Sequence, residues 1–515
     1  MTQASAPWLQ AIGGCSMRLA GGMAIGLMAG TVLGATPAET PLVEAVKSGD
    51  LQAVRALIGR NVDVNERAAD DATPLHWAAY YEHLAAVDLL LRAGAKPDDV
   101  NALKVTPLWI AADVGNSAIV GRLLAGGADP NVAPQTGGTP LMLASRNGDV
   151  SSVKLLLEQG ADVNAAEQAN GQTAVMWGVS QRHPDVIGLL IKAGADLDAR
   201  SKQLKRIVLL CCPTWPGDPE GTVAIDQGGL TPLLFAALTG DADIARLLVD
   251  GGANVDVTAA AGTTALAMAA MRGFTELVSL LLERGANPDA AGGGFTALHA
   301  AVLRGDVKMV DVLLAHRAAV NVRLTKGTFL KRGSREYAFD KFLVGATPFL
   351  IAARFGDLAI MRRLVDAGAD VSMRLEDGRT PLMIGVQGEA SGATARVRGT
   401  AAEPRVLEAT KLLLSLGSDI EAADNGGNTA LHLLAKRRPG FNSVIQLLAQ
   451  HGAKLDPMNS KGETPLVLAL APPAPLKGQS TTVQTVQWRA EYDAWVENKG
   501  RTATVDLLRK LGATH

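Results

Sequence analysis

Adjacent Cys211 and Cys212, in the stretch LLCCPTWPGDPEG, are the side chains whose types best suit chemistry. In an oxidising compartment they could close a strained vicinal disulfide or pair with another chain, and adjacent thiols could also capture a soft metal. The plainer reading is two semi-buried apolar thiols following Ile207, Val208, Leu209 and Leu210. The third cysteine, Cys15, is too remote to suggest a disulfide framework. His76, His299 and His432 share one place in a recurring Thr-Pro/Ala-Leu-His wording and lie too far apart to converge on a metal. His83, His183, His316 and His451 fall at turns. The sequence holds no HExxH, no paired CxxC, no GxSxG and no phosphate-binding glycine loop. No catalytic residue, cofactor or metal is expected.

The elements around these residues repeat. From Thr139 to Gly171 the chain reads TPLMLASRNGDVSSVKLLLEQGADVNAAEQANG. Thr139 suits an N-cap and Pro140 the first helical position, where a missing N–H costs nothing. Leu141, Leu143 and Ala144 give a first helix its apolar face, and Asn147, Gly148 and Asp149 break it. A second helix buries Val153, Leu155, Leu156 and Leu157, and Gly160 takes the left-handed position beyond it. Such short helices are unstable alone and must stack on copies of themselves. The copies start at Thr40, Thr73, Thr106, Thr139, Thr173, Thr231, Thr264, Thr296, Thr347, Thr380, Thr429 and Thr464. Where nothing is inserted the starts lie roughly 33 residues apart, the ankyrin period.

The wording TPLHWAA at Thr73, TALHAAV at Thr296 and TALHLLA at Thr429, with GADVNA, GANPDA or GADLDA after each second helix, resembles the ankyrin-repeat family, with an exported bacterial type suggested by the N-terminus. The resemblance covers nearly everything from about residue 40 onward. It implies an all-α solenoid of about twelve helix–turn–helix repeats with finger loops, binding other molecules without chemistry. It also implies that the three histidines tie their loops to the next repeat, and that partners lie along the ends of the first helices and the fingertips.

Composition agrees with thin helices packed through small residues. Lys plus Arg number 49 and Asp plus Glu 51, so global charge favours neither nucleic acid nor an anionic membrane. Residues 1–38 stand apart. Arg18 precedes the apolar run Leu19 to Ala35 and a small-residue exit near Gly34–Ala35, the layout of a secretory signal peptide. That predicts a periplasmic or secreted protein. The alternative is a retained membrane anchor, with Gly22, Gly26, Gly30 and Gly34 on one face.

Repeats are expected over 39–200, 228–322 and 345–515, with Pro41 to Asn65 as a cap in which Asn61 replaces glycine. The turn Gln181-Arg182-His183-Pro184 is expected to be distorted. Four insertions interrupt the array. Those at 201–227 and 323–344 extend finger loops, and those at 388–404 and 471–500 separate the two helices of a repeat. Loops on a rigid scaffold carry specificity. Lys331 and Arg332 lead a basic, partly aromatic finger, and Trp488 and Trp495 share one face of an inserted helix. The positions seven and eight after each start threonine hold Tyr80, Tyr81, Arg146, Arg272, Arg304, Arg354 and Phe355, residue types that anchor interfaces. The expected function is a non-enzymatic scaffold that binds a protein with an acidic surface. Nucleic acid is disfavoured, and a membrane enters only if residues 19–35 are retained. A thiol-dependent redox or metal-handling role for Cys211 and Cys212, or a membrane-anchored organiser, are the alternatives.

Overall fold

The computed structural model describes residues 40–134, 137–209, 222–327, 343–387, 403–437, 441–472 and 502–514. The chain divides into two compact units, Met1–Leu204 with Gly228–Ala259, and Lys205–Gln227 with Ala260–His515. Each is a run of stacked helix pairs. In the first unit the pairs are Pro41–Lys47 with Leu51–Gly59, Pro74–Tyr80 with Leu84–Arg92, Pro107–Val114 with Ser117–Ala125, Pro140–Asn147 with Val150–Glu158, Ala174–Gln181 with Pro184–Lys192, and Pro232–Thr239 with Ala242–Asp250. In the second they are Ala265–Arg272 with Thr275–Glu283, Ala297–Arg304 with Val307–Ala315, Pro348–Phe355 with Leu358–Asp366, Pro381–Gln387 with Glu403–Ser415, Ala430–Ala435 with Asn442–Gln450, and Pro465–Leu470 with Ala503–Leu511.

Every start threonine opens a helix. Thr139 Oγ1 accepts from the Met142 N–H at 3.3 Å, and Thr106, Thr231, Thr264, Thr347 and Thr464 cap their helices in the same way. Within each unit first helices pack on first helices and second on second, so a first helix is buried on nearly all sides. Ala and Gly permit that close approach, and Leu fills the seams between neighbours. Val153 and Leu156 are buried as expected, whereas Leu155 and Leu157 are half-buried. Gly160 (φ +84°) and Asn61 (φ +56°) take the left-handed conformation their places required. The turn at Gln181–Pro184 is not distorted. Arg182 adopts φ +64°, as glycines do in the equivalent turns, and Pro184 opens the second helix.

The chain is not wholly helical. In the first finger insertion a strand β1, Gln203–Leu209, pairs with β2, Thr222–Gly228. The third insertion gives way to a helix at Glu403, whose thirteen residues exceed the usual second-helix length. Cys211, Cys212, Lys331, Arg332, Trp488, Trp495 and the segment Leu19–Ala35 lie outside the described residues.

Candidate interaction surface

Repeat packing consumes many of the side chains that could have been recognition residues. One set of bonds joins the loops. Asn65 Nδ2 donates to Gly94 O at 3.3 Å while its Oδ1 accepts the Lys96 N–H at 2.8 Å. Asn131, Asn164 and Asn321 repeat both bonds one repeat further along, to Gly160 and Asp162, Gly194 and Asp196, and Gly368 and Asp370. The Asn of each GADVN-type wording is therefore a rung between successive loops.

A second set joins the fingers. His76 Nδ1 accepts the Thr73 N–H at 3.1 Å, which leaves the proton on Nε2 to donate to Val105 O at 3.0 Å. His299 does the same between Thr296 and Ala346, and His432 between Thr429 and Glu463. Burial lowers the pKa of His76 and of His299 from 6.5 to about 4, and that of His432 falls for the same reason. The expected tie between loop and next repeat is present. Trp109 occupies the equivalent place in its own repeat and donates Nε1 to Gly138 O at 2.8 Å, so an indole replaces imidazole without loss of the bond.

The finger bases explain how insertions are tolerated. An ordinary finger closes by a pair such as Ala68 N to Ala72 O. The two expanded fingers close by the same kind of pair, Ser201 N to Leu230 O at 3.0 Å and Leu324 N to Ala346 O at 2.8 Å. An arginine clasps each base. Arg200 Nη1 donates to Gly229 O at 3.3 Å and to Thr258 O at 2.6 Å, and Arg323 Nη1 to Gly345 O and Arg374 O at 2.8 Å each. Arg67 makes the corresponding pair of bonds, to Asp71 O and Val100 O, in a finger with no insertion.

At the ends of the first helices the structure sorts the expected anchors. Arg146 pairs with Asp113 at 2.6 Å and lies 5.7 Å from the Trp177 ring. Arg304 Nη1 donates to Met271 O at 3.1 Å, and its guanidinium lies where a side chain at Gly273 (φ +85°) would have to go. Arg272 is half-buried. Arg354 and Phe355 were expected to anchor a partner and are instead packed inside the fold, 6% and 3% exposed. As free anchors they are excluded, because the helix Pro348–Phe355 is covered around its whole circumference. Tyr80 and Tyr81 are different. Tyr81 is 43% exposed, stacked between Trp77 and His83 with centroids 6.0 Å from each, and Tyr80 meets it edge-on at 5.1 Å.

Among the described residues no group of three or more His, Cys, Asp or Glu could hold a metal, and no helix is long and apolar enough to cross a membrane.

A family model for ankyrin repeats in three copies matches residues 27–101, 108–201, 233–324 and 400–485, and a single-repeat model matches 344–374. The chain belongs to the ankyrin-repeat family. It is similar to human ankyrin repeat and SOCS box protein 16, 30% identical over 198 residues, covering 35% of this chain and 42% of that protein. Human neurogenic locus notch homolog protein 1 is 31% identical over 143 residues, 24% of this chain and 6% of that one. The chain thus spans less than half the length of these relatives. The crystal structure of the human ASB11 ankyrin repeat domain aligns with 48% of this chain and 99% of its own, at 26% identity and a TM-score of 0.39. Ankyrin repeats are in general protein–protein interaction modules, and this chain carries the interaction fold.

Proposed function

We propose that this ankyrin-repeat chain is a non-enzymatic scaffold that holds another protein against its expanded fingers and the exposed ends of its first helices. The finger bases carry the reading: Ser201–Leu230 and Leu324–Ala346 close as in an ordinary finger, so stacking has no need of the added residues. Segments that the fold does not require are available for recognition. For the second unit the partner presents an acidic surface, drawn by half-buried Arg272 and Arg304 and the basic finger around Lys331 and Arg332. Export by the segment Leu19–Ala35 belongs to the same proposal, and osmotic-shock fractionation tests it. Release of a chain beginning near Thr36 is expected, and an intact Met1 terminus in the membrane fraction would replace export with anchoring.

Photocrosslinkers at Leu103, on a fingertip, and Leu204, at the base of the expanded finger, test the binding itself; both side chains are exposed. Adducts to one recurrent protein are the expected result. Adducts to none, with folded protein recovered, would remove the scaffold reading.

A further inference from the structure

Among the described residues the ninth position after a start threonine is left-handed in the turn that closes the first helix. Gly49, Gly115, Gly148, Gly240, Gly273, Gly305 and Gly356 hold it at φ between +61° and +85°. Two of the described turns use a residue that L-stereochemistry disfavours there, Arg182 at +64° and Glu82 at +60°. Arg182 is charge-paired to the next turn, its Nε donating to Asp241 Oδ2 at 2.7 Å. Glu82 is exposed and makes the corresponding bond to a neutral partner, accepting from the Asn116 amide at 3.0 Å, so among the described residues its charge meets no cation. A strained, charged residue stands where glycine would serve the fold better.

Its neighbours point the same way. Tyr81 precedes it, and Val114, in Tyr81's phase one repeat on, is 38% exposed. The Asn116 bond brings that next turn against Glu82. Stacking fixes Tyr80 and Tyr81, so little side-chain freedom is lost when a partner covers them. Lys47 Nζ lies 3.7 Å from the Trp77 ring centroid, which leaves Glu82 and not the indole face to meet an incoming cation. Residues 40–204 and 228–259 carry 23 Asp and Glu against 15 Lys and Arg, so the unit as a whole attracts positive charge.

We propose that Tyr80, Tyr81, Glu82 and Val114 form a docking site for a partner segment that sets a Lys or Arg beside an aromatic or branched aliphatic side chain. The cation pairs with Glu82, and its apolar neighbour covers Tyr81 and Val114. This rests on the scaffold reading and names, for the first unit, a partner surface opposite in charge to that proposed for the second.

Fluorescein-labelled hexapeptides containing Lys-Trp or Arg-Leu, with controls in which Glu replaces the cation or Ser the apolar residue, test it by anisotropy against the whole chain. At low salt the Lys-Trp and Arg-Leu peptides should bind at least tenfold more tightly than either control. Glu82→Gly should abolish the preference for the cation while leaving the melting temperature unchanged or raised, because it removes the strained side chain. Tyr81→Ala, with Val114→Ser as a second variant if Tyr81→Ala fails to fold, should weaken binding of the apolar residue tenfold. Equal binding of all peptides, affinities unchanged in the folded variants, or a lowered melting temperature in Glu82→Gly would overturn the site. Adducts from crosslinkers at Leu103 and Leu204 with none from position 81 would do so too, leaving the scaffold reading intact.

Discussion

With both ring nitrogens bonded and the rings out of water, His76 and His299 must stay neutral for their repeats to hold together. The unfolded chain takes up those protons near pH 6.5, the folded one only near 4. Stability is therefore flat above 6.5 and falls as pH drops across that window, by about 3 kcal/mol per histidine when fully expressed. Melting between pH 7 and 4 measures this, and His76→Gln should flatten the slope while lowering the plateau. Phe355 makes a second expectation. Phe355→Ala should cost about 3–5 kcal/mol, since the ring is buried; an unchanged denaturant midpoint would return it to the surface. The sequence showed Phe355 and Arg354 in the phase of a recognition position. It could not show that the helix Pro348–Phe355 is covered on all sides, because burial depends on the neighbouring repeats and not on phase. Glu82 was overlooked although the phase shows it: the ninth position after seven other start threonines is glycine.

Among elements, the bases of the expanded fingers close by the same kind of backbone pair as an ordinary finger. The insertions at 201–227 and 323–344 were legible as finger extensions because the start wording resumes in phase after each. Arg67, Arg200 and Arg323 were missed as clasps, although each lies two residues after the loop Asn or Asp, a spacing that would have found them. The strands β1 and β2 were also missed, since LKRIVLL carries an apolar run that suited buried thiols as well as a strand. Loop-closure entropy grows only with the logarithm of length. Replacing the residues between Leu324 and Ala346 by a turn as short as that closing Ala68 to Ala72 should thus raise stability by only about 1–2 kcal/mol and keep the fold. Thermal melting and circular dichroism check it; loss of helical signal would mean that the longer finger supports the array. Arg323→Ala should weaken the same base, removing two bonds worth about 1–3 kcal/mol together.

For the whole molecule, the short period and the threonine wording make the fold legible in the sequence. The sharing of side chains between repeats was less so, because partners a repeat apart look independent in one dimension. Stability in such a stack is the sum of repeat and interface contributions. Leu156→Ala should cost about 2–5 kcal/mol in the repeat that starts at Thr139 and divide the unfolding of its unit into two blocks, seen by hydrogen exchange on either side. The ties that hold the stack together close over short stretches of chain, Asn65 reaching Gly94 and His76 reaching Val105. A nascent chain leaving the ribosome can therefore dock each repeat on the previous one as soon as the next turn emerges, at about 5–20 residues per second. At an expanded finger the wait lengthens. His299 must await Ala346 and Arg323 must await Arg374, so here a half-made repeat stays exposed longer than in an uninterrupted stretch, and a chaperone has more time to act.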